Sequence, residues 1–526
     1  MAEGGAAPPA RHWTPAHNPW LIAVAVMLAT FMEVLDTSVA NVSLPHIAGN
    51  LSATTDEATW VLTSYLVANA IILPATNWLG QLFGRKRFLI TCIALFTLAS
   101  ALCGMAQSLG FLIIARVLQG AGGGALQPIS QAVLLESFPP QKRGAAMAVF
   151  AMGVVVAPIL GPTLGGWITD NYSWRWIFYI NLPIGVMAIV MANAMVEDPP
   201  YLKRISAANI DYIGFGLLGI WLATLQFMLD KGQELDWFQS AAVVWCTIVS
   251  AGAFIGFIVR ELTTAHPIVD LRVLKNRNFA VGSTMILLLG ALLYGTTAIL
   301  PLFMQNLLHY TAVDAGIAMS PRGIGALIMT ILVGRIVGKV SNRILIGVGF
   351  LLLSYSCLMF AHINLQVGMG SIVFPVVVSG VAISLIFVPL TTATMGTLSQ
   401  QQIGNASGIF NLMRNVGGSV GIAMITTFVA RTAQTNQAIL SSHASMFNPV
   451  FQQKLAAIQS GLEQHGGHWQ AMKQAPRILY GLIQEQAALL SYVHNFRFFA
   501  LMCLICTPLV LLMKKVKKPA GPIAAH

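Results

Sequence analysis

Charged side chains are rare inside the long apolar runs of the chain, and three of those present could do chemistry together. Glu33 and Asp36 are three residues apart in the first run and therefore share a helix face, and Arg116 lies in the fourth run. A carboxylate buried away from water either takes up a proton or binds a cation, and at membrane depth such a group is usually functional. We predict that Asp36, Arg116 and Glu33 form a proton-coupling site with Asp36 as the carrier. The alternatives are acids held by polar neighbours for structure alone and an arginine bonded to backbone carbonyls.

Polar side chains on the same runs are candidates for a substrate cavity. We assign Glu33, Asn41, Gln119 and Gln127 to its lining. Glu33 has a second possible role, because two close carboxylates resist double ionisation and share a proton. The nucleotide-binding pattern GxxxxGK[ST] is absent, and no clustered His/Asp or Ser/His set falls in these runs. We therefore expect no cofactor and no metal, with protons as the coupling ion.

The composition indicates that the surrounding solvent is a bilayer. Of the 526 residues only 9% are charged and 56% are hydrophobic, whereas a soluble domain carries about 25% charged residues. These values exclude a water-soluble enzyme, a nucleic-acid binder and a disordered chain. The net charge of +11 is spread in short clusters between the apolar runs, which argues against nucleic acid as a partner.

Fourteen apolar runs are long enough to cross a bilayer, which takes about 20 mainly apolar residues. They are 20–44, 59–79, 88–106, 110–134, 145–168, 175–196, 212–229, 240–260, 279–303, 315–337, 344–362, 370–398, 405–429 and 495–513. Nineteen Lys and Arg lie in loops on the side of both termini and six on the other side. Since positively charged loops stay in the cytoplasm, both termini are expected there. We predict an all-α integral membrane protein.

A weak internal repeat divides the spans into two halves. Gly80–Arg87 follows the second span and Gly334–Lys339 follows the tenth, while the fifth and thirteenth spans are both rich in glycine. Both offsets are eight spans, which predicts two six-helix bundles, two helices inserted between them and a central site near the midplane. The predicted domains are a tail at 1–19, a bundle at 20–198, the inserted pair at 199–278, a bundle at 279–515 and a tail at 516–526.

Two further motifs combine glycine with proline or with basic residues. The fifth span contains Pro158, Gly161, Pro162, Gly165 and Gly166. Its prolines should bend the helix and its small residues should allow close contact with another helix, although an ordinary kinked helix is the alternative on composition alone. The turn after the second span contains Gly84, Arg85, Lys86 and Arg87. By charge counting this turn anchors the topology, and we assign it to a gate on the cytoplasmic side.

These motifs resemble those of the major facilitator superfamily, in particular its fourteen-helix drug:proton antiporter branch. The stretches that carry the resemblance are Leu35–Pro45, Ala115–Gly120, Ala157–Gly166 and Trp174–Gly185. In that family the span-four motif is assigned to proton coupling and the span-five motif is typical of antiporters. The resemblance implies the major facilitator fold, coupling through Arg116, and an antiporter motif in span five.

Two other stretches, Leu229–Trp237 and Pro267–Leu271, resemble the EmrB-type exporters of Gram-negative inner membranes. Those exporters work with a periplasmic adaptor protein and an outer-membrane channel. The resemblance therefore implies a multidrug exporter of the cell inner membrane, whose partners are small-molecule drugs, the lipid bilayer, an adaptor and a channel. One departure concerns the gate, because the family usually has Asp and Arg where this chain has Gln81 and Leu82.

The function expected from the sequence is proton-coupled export of hydrophobic or amphipathic toxic compounds by alternating access. A metabolite exporter or a symporter on the same fold is the nearest alternative, and the span-five pattern argues against the symporter. A multi-span lipid-modifying enzyme would need a catalytic cluster at the membrane surface, and the sequence contains none that we recognise. We expect a transporter and not an enzyme.

The longest polar stretch, residues 430–494, is predicted to be a loop on the periplasmic side. Within it Phe451, Leu455, Ile458 and Leu462 recur at helical spacing on one face. A loop of this length is more often functional than idle. We predict that it docks the adaptor; the alternative is that it folds back and caps its own bundle.

Overall fold

Most of the chain is α-helical. The computed structural model describes residues 15–514 apart from 140, 200–210, 266, 338, 446 and 467, and this part contains one isolated β-bridge but no β-strand. Its helices are α1 (Pro19–Asn50), α2 (Thr55–Ala58), α3 (Trp60–Phe83), α4 (Arg85–Gly104), α5 (Leu109–Gly123), α6 (Leu126–Ser137), α7 (Arg143–Asn171), α8 (Trp176–Tyr179), α9 (Asn181–Met195), α10 (Tyr212–Lys231), α11 (Ala241–Thr263), α12 (Arg277–Asn306), α13 (Ala312–Met319), α14 (Pro321–Ile336), α15 (Asn342–Phe360), α16 (Met369–Met395), α17 (Gln400–Ser442), α18 (Pro449–Gly466) and α19 (His468–Leu509). Most of the two predicted tails lies outside the described residues.

The membrane-crossing helices agree with the sequence prediction. Among the described residues, thirteen helices or pairs of consecutive helices are long and apolar enough to cross a bilayer, and α7 makes fourteen. Three spans are such pairs: α5 with α6, α8 with α9, and α13 with α14. α7 is bent by 44° between Arg143–Pro158 and Thr163–Asn171, where the sequence places its prolines. The predicted all-α membrane fold is confirmed.

The two halves repeat the same helix packing. In the first half α1 packs on α7, α3 on α5 and α4 on α9; in the second half α12 packs on α17, α14 on α16 and α15 on α19. Each pair is eight spans from its counterpart, as the sequence repeat predicts. The halves meet where α3, α6 and α7 contact α14, α16 and α17, so these helices border any central site.

Polar contacts between helix ends define two faces of the bundle. We call the side where α1 begins and α19 ends the terminal face, and the other side the opposite face. At the terminal face the Lys86 N–H donates to Asp198 Oδ1 at 2.8 Å. There, too, Asn278 Nδ2 donates to the Lys514 carbonyl at 3.1 Å. At the opposite face Arg175 Nη1 donates to the Asn50 side chain at 3.2 Å.

The inserted helices α10 and α11 pack on each other, and α10 also packs on α3 and α17, one helix from each half. At the terminal face Asp211 caps α10 by accepting the Gly214 N–H at 3.0 Å, and Arg260 of α11 donates to the same carboxylate. Burial acts to raise the pKa of Asp211, but these hydrogen bonds outweigh it and lower the pKa overall. The pair is therefore anchored by an ionised acid at one end and lies beside both halves.

Residues 430–494 differ from the predicted loop, because most of them are helical. α17 continues to Ser442 and α19 begins at His468, so these helices have 43 and 42 residues. At 1.5 Å per residue each is about 60 Å long, roughly twice the hydrocarbon thickness of a bilayer. We call the described part of 430–494 the helical protrusion. A polar sequence suggested a loop here, but both spanning helices simply continue into solvent.

The predicted amphipathic face within the protrusion is confirmed. On α18 the side chains of Phe451, Leu455, Ile458 and Leu462 are half-buried, whereas most of those between them are exposed. α18 packs on α19, which supplies the buried side chains Ala471, Ala475 and Leu479. This contact gives the protrusion an apolar core of its own.

Candidate functional site

A buried cluster surrounds Asp36 inside the first half. Its Oδ2 lies 2.5 Å from Nη1 of Arg116. Its Oδ1 accepts hydrogen bonds from Gln119 Nε2 and Asn181 Nδ2, both at 2.8 Å. Asp36 is 2% exposed and Arg116 is fully buried. α1, α5 and α9 therefore meet at one carboxylate whose charge is matched by a single guanidinium.

The Arg116 guanidinium is held by more than its counter-ion. Its Nε donates to the Val61 carbonyl at 3.0 Å, and its Nη1 also donates to Gln119 Oε1 at 2.7 Å. The guanidinium carbon lies 4.2 Å from the ring centroid of Tyr65, a cation–π contact. Of the two acids that the sequence offered as its counter-ion, Asp36 occupies that place.

A second cluster surrounds Glu33. Its Oε1 accepts hydrogen bonds from the Tyr65 hydroxyl at 3.3 Å and from Asn69 Nδ2 at 3.1 Å, and its Oε2 accepts one from Gln127 Nε2 at 2.5 Å. Glu33 and Asp36 thus belong to separate hydrogen-bond clusters. Tyr65 joins the two clusters, because its hydroxyl reaches Glu33 while its ring lies against Arg116.

A cavity of about 380 Å³ lies beside Glu33, with walls from α1, α3, α6, α7, α10, α12 and α17. Three of the predicted lining residues, Glu33, Asn41 and Gln127, are part of its wall. Asp36 lies behind the wall. The cavity extends from Glu33 to Lys231 and Glu234 at the opposite face, and most of its lining is apolar. Such a space fits a hydrophobic or amphipathic molecule with one or two polar groups.

The assignment of Gln119 to the cavity is wrong. Gln119 is fully buried, donates to Asp36 and accepts from Arg116. It lies three residues after Arg116 on α5, so both side chains point towards α1 on the same helix face. Gln119 is a member of the Asp36 cluster.

The inserted helix α10 contributes the charged mouth of the cavity, which the sequence did not indicate. Asp230 accepts a hydrogen bond from Thr63 Oγ1 of α3 at 2.6 Å, and Lys231 Nζ donates to Thr59 Oγ1 at 2.9 Å. On the other side Ser419 Oγ of α17 donates to Gln226 Oε1 at 2.8 Å. α10 therefore forms a side wall of the cavity and binds both halves.

The span-five motif places α7 directly against α1. A Cβ atom added at Gly165 would lie 2.9 Å from Val39 Cγ1, and one at Gly161 would overlap Ser38. The Ser38 hydroxyl donates to the Pro158 carbonyl at 3.0 Å. Gly166 has more room, because its added Cβ would come no closer than 3.9 Å to Val42. The side chain of Pro162 lies outside the described residues. Close helix contact, as predicted, is the structural role of this motif.

The basic turn after α3 lies at the terminal face. Gly84 has φ 87°, a conformation that favours glycine. The Arg85 side chain is buried and forms an ion pair with Glu136 at the end of α6, whereas Arg87 is exposed. Although Gln81 and Leu82 depart from the family pattern, the chain retains a buried ion pair at this position.

The halves touch each other on the terminal side of the cavity. Asn411 Nδ2 of α17 donates to Gln131 Oε1 of α6 at 2.8 Å. A Cβ at Gly404 would lie 2.9 Å from Arg85 Nη2, and one at Gly144 would lie 3.1 Å from Val337 Cβ. The cavity is thus closed towards the terminal face and extends to the opposite face, as in one end state of an alternating-access cycle.

Several residues of both clusters were missed by the sequence reasoning: Tyr65, Asn69, Asn181 and Arg414. A single side-chain amide within an apolar run is a usable signal for the two asparagines, and a single charge within such a run is one for the buried Arg414. Nothing in the sequence distinguishes Tyr65 from an ordinary apolar packing residue. Within the described residues no group of three His, Cys, Asp or Glu side chains could hold a metal ion.

Comparisons with a family model and with known proteins point to the same family. The family model described as Major Facilitator Superfamily matches residues 26–422. The chain is 40% identical over 431 residues to the multidrug export protein EmrB of Escherichia coli strain K12, covering 82% of this chain and 84% of that protein. It is 39% identical over 434 residues to the EmrB of Haemophilus influenzae, with the same coverage.

Two further relatives extend the comparison. The fatty acid resistance protein FarB of Neisseria gonorrhoeae is 36% identical over 499 residues, which covers 94% of this chain and 96% of FarB. Among solved structures, the human organic anion transporter MFSD10 matches with a TM-score of 0.59 and 12% identity, covering 94% of this chain and 100% of that one. Because the sequence identity is so low, this structural match supports the fold alone.

Proposed function

The chain belongs to the Major Facilitator Superfamily and is a transporter rather than an enzyme, and we propose that it exports hydrophobic or amphipathic toxic compounds in exchange for protons. Relatives named multidrug export protein match over most of its length, which supports drugs as the cargo. The basic residues on the side of both termini support an orientation in the cell inner membrane with the terminal face towards the cytoplasm.

The observation that carries proton coupling is the pair of buried acid clusters beside one cavity. Glu33 lines the cavity, and Asp36 lies one helical turn away with Arg116 as counter-ion. A buried acid changes charge without leaving its place, so its proton can alter how neighbouring helices attract each other. Each proton that enters supplies about 1.4 kcal/mol per pH unit and about 2.3 kcal/mol per 100 mV.

Reconstituted vesicles with the terminal face outside test the coupling. With an acidic lumen, they should accumulate a fluorescent amphipathic compound, and added compound should release lumenal protons to a pH-sensitive dye. An uncoupler should stop both signals. Accumulation that requires the reverse gradient would identify a symporter, and export of metabolites without toxic compounds would identify a metabolite exporter.

We also infer that the helical protrusion docks a periplasmic adaptor protein that passes cargo to an outer-membrane channel. The protrusion extends from the opposite face, away from the terminal face, and has its own apolar core. It nevertheless exposes large apolar side chains outside the membrane bundle, with Phe447 96% and Trp469 66% exposed. Val450, Met472 and Tyr480 of the protrusion are exposed as well. A single exposed apolar side chain is ordinary, but several on one protruding element support a protein contact.

Replacement of residues 447–487 by a flexible linker should abolish capture of the adaptor and cellular resistance. Transport in vesicles should persist, because both acid clusters lie within the membrane bundle. A milder variant, Phe447→Ser with Trp469→Ser, should weaken capture without unfolding the protrusion, since both side chains are exposed. Exchange of the exposed Gln470 for Ser is the matched control. Undiminished capture by the shortened protein would contradict docking, and loss of vesicle transport would indicate that the protrusion caps the bundle.

A further inference from the structure

Arg414 is a buried cation to which no carboxylate of the described residues is bonded. It lies on α17, is 1% exposed and forms no ion pair within the described residues. Its Nη2 donates to Gln127 Oε1, whereas its Nε and Nη1 have no hydrogen-bond partner in the part of the chain that the structure describes. Burying a guanidinium in this way is unfavourable unless a nearby negative charge compensates it. A compensating carboxylate lies on the other side of Gln127, the side chain that Arg414 contacts.

Gln127 connects Arg414 to Glu33. Its carbonyl oxygen accepts from Arg414, and its amide nitrogen donates to Glu33 Oε2 at 2.5 Å. The amide has one accepting and one donating end, and both ends are used in the only order that suits an ionised Glu33. A protonated Glu33 could still accept this hydrogen bond through its carbonyl oxygen, but a neutral acceptor is weaker and no longer attracts the guanidinium. The three side chains therefore form a relay between a carboxylate and a guanidinium.

The relay crosses the boundary between the two halves. Glu33 and Gln127 belong to α1 and α6 of the first half, and Arg414 belongs to α17 of the second. One turn nearer the terminal face, Asn411 of α17 donates to Gln131 of α6. Of these two contacts between α6 and α17 the relay lies nearer the cavity, whose wall includes Glu33 and Gln127. The strength of the relay therefore affects whether the terminal face stays closed.

The other groups that face Glu33 come from the first half and are neutral. Tyr65 and Asn69 of α3 donate hydrogen bonds to it, and α7 presents no charged side chain to it among the described contacts. Arg414 is the cation of the second half whose charge acts on Glu33. The charge of Glu33 therefore acts on the second half by attracting Arg414, with Gln127 between the two groups.

We propose that Arg414, acting through Gln127, is a positioning residue that makes closure of the terminal face depend on the charge of Glu33. Ionised Glu33 attracts Arg414 and holds the halves together. A proton that enters from the cavity cancels this attraction and favours opening of the terminal face. This inference rests on the proposed exchange of protons, and its direction is the one that an exporter needs, because a proton from the opposite face then returns the empty carrier.

A cysteine cross-link measures closure without any transport. Gly144→Cys with Val337→Cys joins α7 to the end of α14 at the terminal face, where the Cβ atoms would lie 3.1 Å apart, slightly closer than in a relaxed disulfide. The purified protein in lipid nanodiscs is oxidised at about pH 6 and at about pH 8, a range in which perturbed carboxyl groups titrate. Linked peptide is quantified by mass spectrometry and divided by the alkylation rate of the same two thiols at the same pH, because thiolates also react faster at high pH. Size-exclusion profiles check that each variant is folded.

With the native relay, linked peptide should be several-fold more abundant at the higher pH. Glu33→Gln should give the low yield at both pH values, and Arg414→Gln should remove the pH step. Arg414→Lys should retain part of the step, since the cation remains. Arg322→Gln is the matched control. Arg322 is buried in the same half, but among the described residues its hydrogen bonds go to Thr296 and Thr297, so its loss should leave the step unchanged.

Two outcomes would overturn the relay: absence of a pH step in the protein with the native relay, or an undiminished step in Arg414→Gln. Neither outcome depends on vesicle transport. If vesicles exchange compound for protons while Arg414→Gln keeps its step, the proposed function stands and the relay is wrong. If vesicles show no exchange while the step depends on Arg414, the relay stands and proton coupling must be abandoned.

Discussion

Asp36→Asn is expected to reduce exchange of compound for protons to the level of protein-free vesicles. An amide cannot release a proton, so the variant stays in the neutral state throughout the cycle. The amide keeps only one acceptor oxygen, so it can serve either Gln119 and Asn181 or Arg116 but not all three, and Arg116 loses its counter-ion. The measurement is compound uptake and dye-reported proton release from the same vesicles.

Because breaking a buried ion pair costs about 3–5 kcal/mol, the folded state of the Asn variant must be checked by thermal unfolding in detergent. Asp36→Glu keeps a titratable group and should recover part of the exchange if the folded protein accepts the longer side chain. The matched control is Asp170→Asn, an exposed acid at the end of α7, which should leave exchange intact. Full exchange by a folded Asp36→Asn protein would show that Asp36 does not carry the proton.

Arg116→Ala is expected to cause the next largest loss. It removes the charge beside Asp36, the hydrogen bond to the Val61 carbonyl and the contact with Tyr65. Ionised Asp36 would then lie in an apolar interior without a cation, a state disfavoured by about 3–5 kcal/mol. Exchange should therefore fall strongly, because the carboxylate of Asp36 is no longer compensated.

Arg116→Lys separates charge from geometry. A lysine restores a cation but cannot reproduce the planar fork that contacts Asp36, Gln119 and Val61 together, so partial recovery is expected. Arg175→Ala is the matched control, because Arg175 also stacks on an aromatic ring, that of Trp174, but at the opposite face. Exchange by Arg116→Ala equal to that of the native protein would assign Arg116 a purely structural role.

Composition and periodicity were sufficient to predict the membrane spans. All fourteen apolar runs correspond to helices or helix pairs, because in a bilayer the backbone must satisfy its own hydrogen bonds and an apolar run of this length has no alternative to a helix. The eight-span repeat can also be recognised from the sequence, since small residues recur where α1 packs on α7 and where α12 packs on α17. The sequence predicts a loop where the helical protrusion lies, because polar residues mark the end of the membrane segment. Polar residues do not mark the end of a helix, and α17 and α19 continue beyond the membrane.

The candidate site was predictable only in part. Acids and arginines within apolar runs are conspicuous, so Glu33, Asp36 and Arg116 could be found from the sequence. Whether Arg116 pairs with Asp36 or Glu33 depends on the orientation of α5 about its own axis relative to α1. The same orientation places Gln119 in the Asp36 cluster instead of the cavity wall. Tyr65 gave no signal, because an aromatic residue in an apolar span is usual.

The sequence by itself determined the solvent of this protein, the number of its spans, its two related halves and the few charged groups buried within them. These follow from the transfer free energies of single residues, which add along the chain without knowledge of contacts. Only the tertiary structure decided which acid meets Arg116, that α10 forms a wall of the cavity, and that Gln127 joins Glu33 to Arg414 across the two halves. Those facts depend on distances of a few ångströms between residues far apart in the chain, and packing of whole helices, rather than the preference of any one residue, sets such distances.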